Sequence, residues 1–273
     1  MLRYITNNHF LIAGSLVLCL FIFIATLAPY IAPYPLNQQD LRHVLQAPSI
    51  QHWFGTDWLG RDVLSRVLIG SRYTLLVVFS AISVTTLIGI PIGIVSGYTR
   101  GWIDSCIMRI ADILLTLPGM VLAIVVVSVL GMGLYGLVIA IVASFIPRLI
   151  RLTRGVVLST REREFVTAVE ALGANKLRIM FVHILPNSIA PLLVELSLMA
   201  GQAVLMAAAL GFLGLGVKPP APEWGVMLSQ GKDYLAIAPH TMFAPGLAIS
   251  LLVLGFNLLG DGLRDALDPR FRR

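Results

Sequence analysis

Four stretches of this chain run without a single Asp, Glu, Lys or Arg for longer than a membrane is thick: Tyr4 to Gln39, Tyr73 to Thr99, Ile113 to Pro147 and Tyr234 to Gly260. A helix rises about 1.5 Å per residue, so about 20 apolar residues cross a hydrocarbon core of about 30 Å. Each stretch reaches that length, and no soluble domain of 273 residues has an interior large enough to bury all of them. With 57% hydrophobic and 12% charged residues, the solvent for most of the chain is lipid. Collagen-like, disordered and disulfide-scaffold classes are excluded. Cys19 and Cys106 have neither the number nor the spacing for a disulfide framework or a zinc site.

Phe10 to Ala28 forms the first expected span. Its apolar run is longer than that of a secretory signal, and the small-residue site near Ala28 is followed by Pro29, so an uncleaved anchor is expected. Tyr73 to Thr99 forms the second. The 35 uncharged residues between Asp112 and Arg148 are too many for one crossing, and Gly131-Met132-Gly133 in the middle reads as the turn of a hairpin, spans three and four. Asn187 to Val217, charged only at Glu195, gives span five, and the run before Asp261 gives span six. Six crossings put both termini on one side. With the termini cytoplasmic, that side holds 14 Lys and Arg, among them Arg3, Arg100, Arg109, seven between Arg148 and Arg178, Arg264, Arg270, Arg272 and Arg273, against six on the other. The positive-inside rule therefore expects cytoplasmic termini, and the net charge of +6 requires no nucleic-acid partner. Trp53, Trp58, Trp102 and Trp224 all fall just outside the spans, where an amphipathic indole favours the interface.

This divides the chain into an N-terminal segment with the first span (1–32), an extracytoplasmic loop (33–72), a five-helix core (73–260) that includes a cytoplasmic loop at 148–186, and a cytoplasmic tail (261–273). In the first loop, Gly55 to Arg66 reads GTDWLGRDVLSR. Val63, Leu64, Val67 and Leu68 share a side while Asp62 and Arg66 stand at i, i+4, so a short helix lying flat on the leaflet with its charges in water is expected. It either shapes the mouth of a pathway or simply anchors span two. The only Gly-Lys, Gly231-Lys232, is followed by Asp233, so no Walker A loop is present. In the second loop, Ser159 with Glu162 resembles a capping box, Phe165, Val169 and Leu172 share a helical face, and Gly173 stands where a left-handed cap belongs. These expect a helix from Thr160 to Leu172. The third segment, Val217 to Ala238, carries Pro219, Pro220 and Pro222 before Glu223 and Trp224, a stiff non-helical stretch suited to docking a partner or reversing direction.

Within the spans, Gly89, Gly93 and Gly97 recur every four residues and line one helix face, allowing close packing within or between subunits, and Pro91 is expected to kink the helix. Glu195 must face protein, water or an interface; a structural pair and a pathway role are both open. Arg109 and Asp112 are expected to pair with each other at the surface. His9, His43, His52, His183 and His240 show no metal-ligand spacing.

The stretch TAVEALGANKLRIMFVHILPN, Thr167 to Asn187, resembles the EAA loop of the membrane subunits of binding-protein-dependent ABC importers. Gly173 and the Leu185-Pro186 ending keep that pattern's spacing, while Thr167, Val169 and His183 replace its Glu, second Ala and Ile. GTDWLGRDVLSR, GFLGLGVKPPAPEWGVML (Gly211 to Leu228) and FNLLGDGLRDALDPR (Phe256 to Arg270) are similar to the oligopeptide, dipeptide and nickel permease family, nearly over the whole chain. The first of these makes Gly55, Asp57, Gly60, Arg61, Asp62 and Arg66 candidate motif residues. The resemblance implies an all-α integral membrane protein with the bundle of a type I ABC importer permease. It also implies a second related permease completing a six-plus-six-helix pathway, two cytoplasmic ATPases carrying ATP and Mg, and an extracytoplasmic solute-binding protein. On that reading the helix ending at Gly173 is a coupling helix, with Phe165, Ala168, Val169, Glu170, Leu172 and Gly173 as the contact, and this chain holds no cofactor and no catalytic residue. Di- and oligopeptides are the implied cargo, with nickel or a metal chelate as the alternative. A self-sufficient secondary transporter or channel would need intramembrane ion sites, for which only Glu195 offers itself, and a membrane enzyme would need a cluster of reactive side chains that the spacing does not supply.

Overall fold

A computed structural model describes residues 8–267, so Arg3, Arg270, Arg272, Arg273 and the end of the Phe256 to Arg270 signature lie outside the described residues. The described residues are helical and contain no strand, only an isolated bridge between Thr56 and Asp62. The helices are α1 (His9–Ile31), α2 (Val63–Thr99), α3 (Gly101–Leu115), α4 (Gly119–Leu130), α5 (Leu134–Arg161) and α6 (Glu164–Ala171). They continue with α7 (Lys176–Phe212), whose second turn, Ile179–Ile184, is π-helical, then α8 (Trp224–Gly231) and α9 (His240–Leu267).

Helices α1, α2, α5, α7 and α9 are each long and apolar enough to cross a bilayer. The expected third span is instead a bent pair: α3 and α4 meet at 91° across Thr116-Leu117-Pro118. Proline cannot supply the backbone donor a continuing helix needs, and its ring holds the preceding residue out of the helical region. The expected hairpin turn is present, with Gly131 and Gly133 at φ 90° and 136° separating α4 from α5. Span five starts earlier than Asn187, because α7 begins at Lys176 and passes through Leu185-Pro186 without a break; Pro186 sits in the first turn of its α-helical part.

The main apolar core is made where α1, α2, α5, α7 and α9 meet, around Phe21, Val77, Phe145, Met199, Leu252 and Phe256. Helices α2 and α5 run parallel in close register. A Cβ on Gly93 would stand 2.5 Å from the Thr153 Cβ and 2.9 Å from the Ile150 carbonyl, and one on Gly97 would stand 2.9 Å from the Arg154 carbonyl. The glycine face of α2 is thus turned to α5 of the same chain, and backbone approach takes the place of side-chain interdigitation.

At 37 residues, α2 is about 55 Å long, so its first turns extend beyond a bilayer. The expected flat surface helix at Val63 is therefore no separate element. It is the start of α2, wrapped by the loop before it and by α8, with Val63, Ser65 and Arg66 buried. The 217–238 segment departs from expectation too. It turns at Pro219-Pro220, where the Ala221 N–H donates to the Lys218 carbonyl at 3.3 Å, and α8 is then wedged between the first turns of α2 and the last turns of α7, with Trp224 fully buried rather than interfacial. Gly70, Gly211 and Gly225 make room: Cβ atoms there would meet the Pro222 carbonyl at 2.3 Å, Glu223 Oε2 at 2.6 Å and the Ala208 carbonyl at 2.5 Å. The Trp224 ring packs edge-on against Phe21 and its Nε1 donates to the Val67 carbonyl at 3.0 Å.

Candidate functional site

Two sites occupy opposite ends of the bundle. At the end where α2 stops and α7 starts, α5 runs on to Arg161, past the expected start of the next helix. Ser159 lies in its last turn and donates to the Val156 carbonyl, while Thr160 is buried against Ser188 of α7. The chain turns at Glu162 and Arg163, and α6 occupies only Glu164–Ala171, about 12 Å. The expected helix from Thr160 to Leu172 is thus the end of one helix and a separate two-turn one.

Short as it is, α6 is held firmly. Val166 is buried at 1% exposure, and Phe165, Val169 and Leu185 pack beside it on Ile94, Tyr98, Val157, Ile179 and Ile184. These come from the ends of α2, α5 and α7, so a displacement of α6 acts on three spans at once. Leu172 caps the helix, its N–H donating to the Ala168 carbonyl, and Gly173 at φ 80° turns the chain away, with the Ala174 N–H donating to the Val169 carbonyl. A left-handed glycine after the last turn, with a bond reaching back into the helix, is the usual way to satisfy terminal carbonyls. Glu164 sits in the first turn, where the helix dipole favours negative charge. The Glu170 carboxylate accepts the Tyr98 hydroxyl at 3.1 Å, and Arg161 donates to the Tyr98 carbonyl at 2.5 Å while lying over its ring at 4.8 Å.

Of the six residues expected at a partner contact, the structure turns Phe165 and Val169 partly inward. Ala168, Glu170, Leu172 and Gly173 are exposed, Leu172 at 87%. Leu185 and Pro186 lie in α7; His183 is half-buried and its carbonyl accepts from Asn187. Tyr98 and Arg161, which tie α6 to its neighbours, escaped the sequence reading, although a tyrosine and an arginine at span ends are the kind of residue that anchors there.

Glu195 lies against Arg148 of α5 at 2.7 Å, an ion pair without hydrogen-bond alignment, and the Arg148 Nη1 donates to Gln202. Asp112 pairs with Arg151 of α5, not with Arg109. Asp104 accepts two bonds from Arg154, at 2.6 and 2.7 Å. Three ion pairs therefore fasten α5 to α3 and α7.

At the opposite end, the motif residues expected in water are folded into a buried network. Asp57, Arg61, Asp62 and Arg66 are all buried, Arg66 at 2% exposure. Asp57 accepts from the N–H groups of Leu59 and Arg61, and its Oδ2 takes the Arg61 Nε at 2.7 Å with the Arg66 Nε at 3.5 Å. Gln230 Oε1 of α8 accepts from both arginines, at 3.4 and 3.2 Å. The expected Asp62–Arg66 pair does not form. Asp62 instead caps α2, accepting the Ser65 N–H and hydroxyl at 2.7 Å each, and meets His52 Nδ1 at 2.9 Å. Gly60, at φ 70°, makes the tight loop possible; a Cβ there would fall 1.8 Å from the Asp40 carbonyl. Gly55, at φ 72°, lies against Gln46 and His240.

At the start of α8, Glu223 is fully buried and makes no ion pair among the described residues; its two oxygens accept the Gly225 and Val226 N–H groups at 3.0 and 3.1 Å. Burial raises its pKa to about 7, against the lowering effect of those two bonds. A carboxyl whose folded pKa is raised contributes stability that is complete below its ordinary value and is lost as pH rises through about 7. The melting midpoint of the detergent-purified protein should therefore fall between about pH 4.5 and about pH 7 and level off above that. Glu223→Gln should flatten that fall from a lower starting value, because one amide oxygen cannot cap both N–H groups as well. Equal slopes in the two proteins would show that another group titrates.

The comparisons with known proteins agree with this architecture. Residues 89–273 match the family model for the binding-protein-dependent transport system inner membrane component, and residues 1–48 match the N-terminal TM domain of oligopeptide transport permease C. A dipeptide transport system permease protein, DppC, of Alkalihalophilus pseudofirmus is 45% identical over 99% of this chain and 89% of its own length. A di/tripeptide transport system permease protein of Pseudomonas aeruginosa is 44% identical over 97% and 90%, and a glutathione transport system permease protein, GsiD, of Pectobacterium atrosepticum is 43% identical over 99% and 90%.

Proposed function

The chain belongs to the family of binding-protein-dependent transport system inner membrane components, and from that premise we infer that it forms half of the transmembrane pathway of an ABC importer for di- or oligopeptides. It is a multi-pass protein of the bacterial inner membrane. Relatives named for dipeptides, di/tripeptides and glutathione support a peptide cargo rather than nickel. A second related permease completes the pathway, a solute-binding protein delivers the cargo, and two ATPases holding ATP and Mg supply the chemistry. The end bearing α6 is cytoplasmic on this reading, as the cations between Arg148 and Arg178 favour.

The observation that carries the mechanism is the seating of α6. Its exposed residues Ala168 and Leu172 are free to enter a partner's groove, while Val166 and its neighbours, with the Glu170 bond to Tyr98, lock it to the ends of α2, α5 and α7. Closure of the ATPases on ATP then moves α6 as a lever, and the spans follow as a body between inward-open and outward-open arrangements.

Reconstitution tests this directly. Vesicles holding this chain with its partner permease and ATPases should take up a labelled dipeptide only when ATP and the binding protein are supplied. Uptake by this chain alone under a proton or sodium gradient would overturn the importer reading in favour of a secondary carrier.

A further inference from the structure

Beside α6 the bundle end contains a cleft of about 520 Å³ that neither α6 nor the span core fills. Its wall includes Tyr98, Ile103, Arg161, Glu170, Lys176 and Ile179. These belong to the last turn of α2, the first turn of α3, the last residue of α5, α6 itself and the start of α7. Since α2, α5 and α7 are spans, the cleft opens where the chain leaves the hydrocarbon, at headgroup depth. Helix α3 fits that depth: it turns 91° from α4 and exposes Trp102, Ile110 and Ile113 along one side, the pattern of a helix lying in the interface.

The lining has two chemistries. Ile103 and Ile179 are apolar and face a volume large enough for the upper part of an acyl chain. Arg161 and Lys176 are cationic. The Glu170 carboxylate is engaged by the Tyr98 hydroxyl, and Arg161 spends one Nη on the Tyr98 carbonyl, leaving the rest of its fork free. Lys176 makes neither an ion pair nor an ammonium hydrogen bond among the described residues. A guanidinium and a free ammonium beside apolar residues, at the level where phosphates lie, match a phosphodiester headgroup with its glycerol and first methylenes.

We propose that this cleft is a binding site for an anionic phospholipid, whose phosphate bridges Arg161 and Lys176 and so fastens α6 to the ends of α2 and α7. The proposal needs the membrane setting but not the peptide cargo. The lipid acts as a wedge that keeps α6 aligned with the spans it moves.

Native mass spectrometry of the full chain, purified with its accompanying subunits and reconstituted in phosphatidylglycerol or phosphatidylcholine, tests the site. Retention of phosphatidylglycerol but not phosphatidylcholine is expected. Lys176→Gln should weaken that retention about tenfold, the effect of one lost charge-assisted contact, while Arg178→Gln, outside the cleft, should not. The lipid-free melting midpoint of the Lys176→Gln protein should match wild type, separating lost binding from lost folding. Equal retention of the two lipids, or a Lys176→Gln protein that keeps its phosphatidylglycerol, overturns the site. Displacement of the lipid by millimolar inorganic phosphate assigns the cleft to a free anion and overturns the lipid reading.

Discussion

Asp57→Asn should destabilise the protein by about 3–5 kcal/mol, the cost of stripping the partner from buried charges, and should sharply reduce the yield of folded chain. Asp57 is the carboxylate that faces both Arg61 and Arg66, and both arginines are almost wholly excluded from solvent. Asparagine fills the same volume and still offers one oxygen to the Leu59 and Arg61 N–H groups, so the shape of the loop is not at issue. What is lost is charge. Two guanidinium groups would then lie side by side with only the Gln230 oxygen between them, and one Arg66 Nη already has no partner. Removing one arginine as well should recover part of the loss. Asp57→Asn with Arg61→Gln is therefore expected to be more stable than the sum of the single changes, a coupling that a double-mutant cycle on melting midpoints measures. A single Asp57→Asn variant within about 0.5 kcal/mol of wild type, the range of ordinary surface changes, would mean that water reaches the arginines and that the network is not the clamp between the loop and α8.

That network shows where reading along the sequence stops working. The spans were legible because lipid imposes a rule that holds residue by residue: a long run without charge has to be in the membrane. The hairpin turn at Gly131 and Gly133 was legible because positive φ is a local property of glycine, and Gly173 for the same reason. Arg66 was not legible. Its hydrogen-bond partner Gln230 is 164 residues away, and without that partner four charges in twelve residues read as a solvated surface. Trp224 misled in the same way, since an indole beside a run of prolines looks interfacial until Gly70 and Gly225 are seen to open a slot for it.

The helix boundaries failed for a different reason. Ser159 and Glu162 have the spacing of a capping box, but the pattern needs a chain free to leave the helix, and Thr160 is held in α5 by its burial against Ser188. Tertiary packing outvoted a local signal. Pro118 carries the signal for the bend between α3 and α4, but an uncharged run of 35 residues invites a division at its glycines alone. Glu195 lay between two readings in the sequence, and the placement of Arg148 at 2.7 Å gives its charge a partner on α5.

Gly173→Val should reduce ATP-driven peptide uptake by at least tenfold while leaving the bundle folded, with the melting midpoint close to wild type. The separation of the two effects comes from the surroundings of this glycine. A Cβ built on Gly173 meets nothing within 4 Å, so a side chain creates no clash inside the protein. The backbone is the obstacle: at φ 80° a β-branched residue is strained by about 1–3 kcal/mol. Relief comes from letting the αL turn go, which frees the bonds to Glu170 and Val169 and frays the second turn of α6. A helix of two turns has no length to spare. Leu172 and Ala168 would lose their fixed direction, whereas the apolar cluster under Val166, nearer the first turn, would hold the spans in place. A shift of about 1.4 kcal/mol against the seated form is already tenfold in the population able to transmit force. If backbone conformation is the cause, uptake should fall in the order Gly, Asn, Ala, Val, because asparagine tolerates αL better than other residues with a Cβ. Uptake in reconstituted vesicles, with ATP hydrolysis measured alongside, reads that order. Equal loss in the Asn, Ala and Val proteins would refute the backbone account and place the difficulty in the partner's groove, where any side chain at this position would then be too large.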